Sequence, residues 1–338
     1  MGFINFFDGQ AGEYYSDLVL SIGPNCRPAR NLSINHLREF SSPLDWMMNY
    51  SLDTVLHLFR DRFDDFFAEY EADSDNPEGS EGMLRVTDTK NQIVSIHHFP
   101  DNMRPDSYYP QFIEKMNARI QRLESRIQDV SGIVLISNRA DSRDDMLNFL
   151  RAFSVIYPHL RIRLVNIRHD EKMPYNSFRQ EMISDEGSMS YVEYILNDTD
   201  HGVQNPSGNL FLWSGILADY RTPYSDAVRN EWLRLRKGSR QLVIYGAGRR
   251  CVYLLIWLSA VGITVDGIAV CSMVGNPEEI NRVKVRLFPS YSKNASIIVS
   301  SDDMAEAKEI SDLLRGKNYK NIFLVDDNLN LTITTDHN

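Results

Sequence analysis

"LVLSIGPNCRPARNL", residues 18–32, sets a short apolar run against Gly23-Pro24-Asn25, a cysteine and a helix-like segment. The run reads as a buried strand, the Gly-Pro pair as a sharp exit from it, and the cysteine as the residue where a helix begins. A helix N-terminus offers unpaired backbone N–H groups and the positive end of a dipole, and both stabilise a thiolate. Cys26 is therefore a candidate nucleophile, with nearby N–H groups as an oxyanion hole and Arg27 and Arg30 adding positive potential. The competing reading is that of a small buried residue, as most free cysteines are.

Outward from that stretch the chain alternates strand-like and helix-like patterns, which favours a layered α/β arrangement. Strands are expected at 18–23, 84–88, 92–97, 132–137, 161–167 and 189–196, and helices at 27–38, 52–69, 107–128 and 142–157. The 52–69 segment carries Leu52, Val55, Leu56, Leu58, Phe59, Phe63, Phe66 and Phe67 at three- and four-residue spacing, a broad buried face. The acidic "EADSDNPEGSEG", 71–82, reads as a solvated loop without the ligand spacing of a calcium loop.

With 338 residues and 43% hydrophobic composition, the chain has room for about two domains. We place a boundary near 238, giving an α/β domain at 1–238 and a smaller one at 239–338. The net charge of -10, with no dense Lys/Arg run, argues against nucleic acid as the main partner. No apolar run approaches the ~20 residues of a membrane span, and the first residues carry neither a signal-peptide pattern nor a myristoylation signal, so a cytoplasmic location is expected. Cys26, Cys251 and Cys271 are three in number and widely spaced, which fits neither a disulfide framework nor a CxxC-type zinc site, and no metal is expected.

A thiol nucleophile needs a base. In "NQIVSIHHFPD", 91–101, His97 and His98 end a strand, and strand alternation sends them to opposite faces, so only one can serve Cys26. A third group would hold the imidazole tautomer. Asp45, in the apolar "FSSPLDWMMN", is the first candidate because a buried acid needs a partner. Asn138 after "GIVLIS" is its rival, and Asp198, Asp200 and His201 in "LNDTDHG" form a further polar cluster.

Several of these segments occur together and in order in a known family. "LVLSIGPNCRPARNL", "HLREFSSPLDWMM", "SLDTVLHLF" and "FDDFF", then "IVSIHHF", "YYPQFIEKMNARIQRLESRI" and "GIVLISNR", resemble the bacterial papain-like cysteine peptidase domains over roughly residues 17–215. The resemblance implies Cys26 as nucleophile, His97 as base and Asp45 as the aspartate of the S-x-P-F-D-W segment. Leu44 departs from the usual Phe, and His98 stands where Asp is common, which leaves the choice of base between His97 and His98.

The C-terminal "LVIYGAGRRC" has a strand, Gly246-x-Gly248 and a helix, the way a Rossmann unit brings backbone close to a phosphate. Cys251 replaces the third glycine, and "GIAVCS" offers Cys271 and Ser272 where a ribose-binding acid would stand. Residues 241–326 resemble the small Rossmann-like modules of bacterial surface-polysaccharide enzymes. Three functions follow as expectations. The first is a cysteine peptidase or amidase. The second is an acyl-CoA-dependent acyltransferase of surface-polysaccharide biosynthesis, with Arg27, Arg30 and Arg38 near the donor's phosphates. The third is a non-catalytic nucleotide-sugar-binding module. The substrate would be a small molecule, glycan or peptide.

Overall fold

The structure is a computed structural model that describes residues 14–73, 79–199, 205–326 and 328–333. It is a layered α/β protein, and its residues divide into two compact units. One unit comprises Tyr14–Leu32 with Arg38–Leu212; the other holds Ser33–Leu37 and, among the described residues, the chain from Trp213 onward.

In the first unit, five strands form a sheet in the order Leu18–Ser21, Gly132–Ser137, Arg161–His169, Met189–Leu196 and Phe178–Asp185. The first four run parallel and the last antiparallel. Parallel strands are covered on both faces, which is why "LVLS" and "GIVLIS" are uninterrupted apolar runs with every residue buried. The edge strand Phe178–Asp185 alternates poorly and has no buried residue, so its sequence carries little strand signal.

A second, four-stranded antiparallel sheet in the order Met47–Met48, Ile93–Pro100, Met83–Asp88 and Tyr70–Ala72 belongs to the same unit. Phe67, Phe99 and Phe112 meet at its core, with ring centroids 4.9 Å apart for Phe67–Phe112 and 4.6 Å for Phe99–Phe112.

The expected helix at 52–69 is shorter, Leu52–Arg60, and the chain then leaves helical geometry. Arg62, Phe63 and Phe67 take positive φ angles of 56°, 60° and 55°. Asp88 holds this irregular run: its carboxylate accepts the Phe67 N–H at 2.7 Å and the Asn91 N–H at 3.0 Å. The phenylalanines are buried as their spacing demands, by turns that direct Phe63, Phe66 and Phe67 into one core.

The second unit contains a seven-stranded sheet in the order Glu279–Ile280, Val283–Leu287, Gly267–Val270, Leu242–Tyr245, Ser296–Val299, Asn321–Val325 and Leu331–Ile333. The five inner strands are parallel and the two outer ones antiparallel.

Candidate active site

The Leu18–Ser21 strand ends one turn before Cys26, and the helix Arg27–Ile34 starts on the next residue, its first bond running from the Arg30 N–H to the Cys26 carbonyl at 3.0 Å. Gly23 is required by close approach: a Cβ there would stand 2.4 Å from Pro28 Cγ and 2.7 Å from Asn138 Oδ1. Asn25 turns its side chain back onto the helix, where Oδ1 accepts the Arg27 N–H at 3.0 Å and an N–H of Asn138 at 3.2 Å. Arg27 anchors the new helix through Asp198, Nη1 to Oδ2 at 2.6 Å. Gly208 leaves room for that carboxylate, since a Cβ there would lie 2.0 Å from Asp198 Oδ1. Asp200 and His201 lie outside the described residues.

Cys26 Sγ stands 3.2 Å from Nε2 of His97. How His97 reaches it depends on a break in the strand Ile93–Pro100. Its ladder with Met83–Asp88 pairs Leu84 with Phe99 but Val86 with Ser95, so residues 96–98 bulge out of register. Bulges of this kind re-aim side chains next to functional sites. Simple alternation would put Ser95 and His98 on opposite faces. The bulge instead lets Ser95 Oγ meet His98 Nδ1 at 3.0 Å, with His98 buried against Phe112 and His97 half-buried beside the thiol.

Ser80 completes the arrangement. Its N–H and its hydroxyl both donate to the bulge carbonyl of Ile96, each at 2.8 Å. The Ser80 oxygen lies 3.0 Å from His97 Nδ1. Because its single proton is spent on Ile96, Ser80 can only accept from the imidazole, so Nδ1 carries the proton and Nε2 presents its lone pair to Cys26. Gly79 permits this approach, for a Cβ there would lie 2.8 Å from the Ile96 carbonyl oxygen. The segment read as a solvated acidic loop thus carries two half-buried residues, Gly79 and Ser80, just before its exposed end.

Asp45 makes no bond to His97, whose two ring nitrogens face Cys26 and Ser80. Its carboxylate accepts the Ser42 N–H at 3.0 Å and the Ser42 hydroxyl at 3.1 Å, and pairs with Arg38 at 3.7 Å. Burial raises its pKa, and Arg38 and the Ser42 bonds oppose that. Asp45 so shapes the turn before Trp46, which has φ 70° and sets its ring edge-on to His97, centroids 5.8 Å apart, with the Arg38 guanidinium over the indole. Arg27 and Arg38 are both engaged inside the unit. Asn138, the rival orienter, bonds Asn25 instead.

Burial pushes the Cys26 thiol up to about 11, with Arg30 opposing and Asp45 reinforcing the shift. Burial, and then Arg30, lowers His97. At neutral pH the pair therefore rests as thiol and neutral imidazole. Burial, with Arg119 and Lys115 adding to it, takes His98 down to about 3, which keeps it neutral and away from proton transfer near neutrality.

In the second unit the Leu242–Tyr245 strand passes through Gly246, Ala247 and Gly248 into the helix Arg249–Ala260. Gly246 has φ 105°, and a Cβ there would lie 3.1 Å from Ser300 Oγ. Gly248 caps the helix without a side-chain bond. Cys251 is buried and Cys271 exposed.

An α/β unit whose strand-to-helix turn holds a thiol against an imidazole of fixed tautomer has the equipment of a cysteine-dependent enzyme. Residues 17–172 match the family model described as "Putative papain-like cysteine peptidase", so this part of the chain is similar to that family. No curated protein and no solved structure matches the chain. No helix among the described residues is long and apolar enough to cross a membrane.

Proposed function

We propose that the protein is a cysteine-dependent acyl-transfer enzyme. The observation that carries this reading is the 3.2 Å contact between Cys26 Sγ and His97 Nε2, with the imidazole tautomer set by Ser80. Sγ adds to the substrate carbonyl carbon as the thiol proton passes to His97 Nε2. The tetrahedral oxyanion collapses, and the proton leaves with the departing amine or alkoxide. The thioester on Cys26 is then resolved by water or by another hydroxyl, deprotonated by the same imidazole. Ser80, rather than Asp45, is the group that orients His97.

Water as acceptor makes the enzyme a peptidase or amidase, the reading the family match favours. The test is incubation with p-nitrophenyl acetate, followed by peptide mass spectrometry. Acetyl on Cys26, absent in Cys26→Ala and His97→Ala, supports the reading. A Cys26 that stays unmodified, with no Cys26-dependent release of p-nitrophenol, under conditions where it alkylates with iodoacetamide overturns it. Sustained release of p-nitrophenol marks a hydrolase, and release that needs an added sugar alcohol marks a transferase.

A second reading concerns the C-terminal part, which we propose works as a Rossmann-like nucleotide-sugar module from about residue 239. The five parallel strands lie in the chain order 3-2-1-4-5, and such sheets bind ligands where the order reverses, outside the carboxyl ends of the first and fourth strands. Gly246 and Ser300 stand at that place. Cys271 and Ser272, in place of an acid after the second strand, disfavour a dinucleotide. Calorimetry with UDP-N-acetylglucosamine, NAD and acetyl-CoA separates the outcomes: binding of the nucleotide sugar supports the module, and silence with all three removes it.

A further inference from the structure

The turn that presents Cys26 offers few backbone donors for an oxyanion. The Arg27 N–H is already given to Asn25 Oδ1 at 3.0 Å. Pro28 has no N–H. Ala29 is fully buried. Of the backbone donors expected from residues 25–27, that leaves the N–H groups of Asn25 and Cys26. A tetrahedral intermediate is usually held by two donors or more.

Asn25 adds a side-chain donor by how its amide is fixed. The Arg27 N–H can only donate, so the Asn25 atom it meets is the oxygen. Asn138 meets the same oxygen at 3.2 Å and therefore does so through its own Nδ2. Two donors on Oδ1 lock the amide plane and leave both N–H groups of Asn25 Nδ2 without a partner among the described residues, one residue before the proposed nucleophile and at a half-buried position. Gly23 belongs to the same device, because any Cβ there would displace Asn138.

We propose that the Asn25 side chain is a catalytic residue: its Nδ2 donates to the oxyanion formed when Cys26 adds to a carbonyl. The inference rests on the acyl-transfer reading. It assigns a substrate whose carbonyl oxygen becomes negatively charged, an ester, thioester or amide, and gives Asn138 a positioning role.

The experiment compares two reactions of the same thiol. Acylation by p-nitrophenyl acetate builds an oxyanion, whereas alkylation by iodoacetamide does not, so their rate ratio isolates the donor. Asn25→Asp keeps the oxygen that accepts from Arg27 and Asn138 and replaces the donating nitrogen. The ratio is expected to fall about a hundredfold in Asn25→Asp. Asn25→Ala should fall as far, and Asn138→Ala, which only frees the amide to rotate, should fall less. If Asn25→Asp does not fold, Asn25→Ala carries the test through the same ratio. An unchanged ratio in the folded variants overturns the role of Asn25. A wild-type protein that alkylates at Cys26 but never acylates overturns the acyl-transfer reading and this inference with it.

Discussion

Two loops in the molecule share one local pattern, a short apolar strand, a glycine and a helix that begins on arginine, yet they expose different chemistry. In "LVLSIGPNCR" the glycine is needed because Pro28 and Asn138 crowd it. The N–H groups of the following helix are capped by Asn25, missing at Pro28 or buried at Ala29, and the thiol is what the turn presents. In "LVIYGAGR" the glycine is needed for its φ of 105°, and Gly248 leaves the helix start without a side-chain cap. The first turn caps its helix start and offers side chains; the second leaves its helix start uncapped. An uncapped helix start suits a phosphate, and a capped one suits a nucleophile whose oxyanion is met by a chosen side chain.

The largest effect that tests this contrast is on Cys26 itself. With its pKa raised to about 11, the thiolate is the minor form, so iodoacetamide labelling is expected to climb about tenfold per pH unit until close to pH 11. The sign carries into stability. A folded pKa above the unfolded one contributes stability that is complete below about pH 9 and is lost as pH rises towards 11, at about 1.4 kcal/mol per unit. A labelling curve with its midpoint near 7 would mean a thiolate–imidazolium pair at rest. Next in size is His97→Ala, which should slow acylation of Cys26 by about 10²- to 10⁴-fold in stopped-flow assays with an activated ester.

The glycines separate on stability. Gly23→Ala drives a methyl group to 2.4 Å from Pro28 Cγ, a clash inside a packed turn. A loss of about 3 kcal/mol in urea unfolding is expected, of the order of an overpacked core. A loss below about 1 kcal/mol would mean the turn relaxes easily and does not depend on Gly23 to fix Asn138.

How far these features could be read in advance depends on whether they are local. The four parallel strands of the first unit were legible because burial on both faces leaves continuous apolar runs such as "GIVLIS". The Cys26 turn was legible because Gly-Pro punctuation and the helix start lie within a few residues. The bulge at 96–98 was not, since a register shift is a relation between two strands and neither strand's sequence marks it. The same holds for Ser80: a serine in an acidic, turn-rich stretch has no pattern that ties it to a histidine 17 residues away. Asp45 stood out because an acid among apolar residues must find partners; it found them in Ser42 and Arg38, in its own turn and nearby. The end of the 52–69 helix at Arg60 was hidden because helical spacing and a series of tight turns can bury the same phenylalanines.

Ser80→Ala tests the part that was least legible. Without the acceptor at Nδ1, the imidazole can take the other tautomer and place a proton where the thiol needs a lone pair. Acylation is expected to fall about tenfold, while alkylation at high pH, which needs only thiolate, should hold. An equal loss in both reactions would mean that the serine supports the bulge rather than the tautomer.

The smallest effect belongs to the second loop. Gly246→Ala asks an L-residue to adopt φ 105° and brings its Cβ to 3.1 Å from Ser300 Oγ, a contact that a hydroxyl rotation can partly relieve. The strained backbone therefore costs more than the contact, and a loss of about 1 kcal/mol is expected by urea unfolding. The order of the two alanine variants is the sharper result. If Gly246→Ala costs more than Gly23→Ala, crowding is not what sets the first loop apart, and the contrast between a turn built around a side chain and one built around its backbone fails.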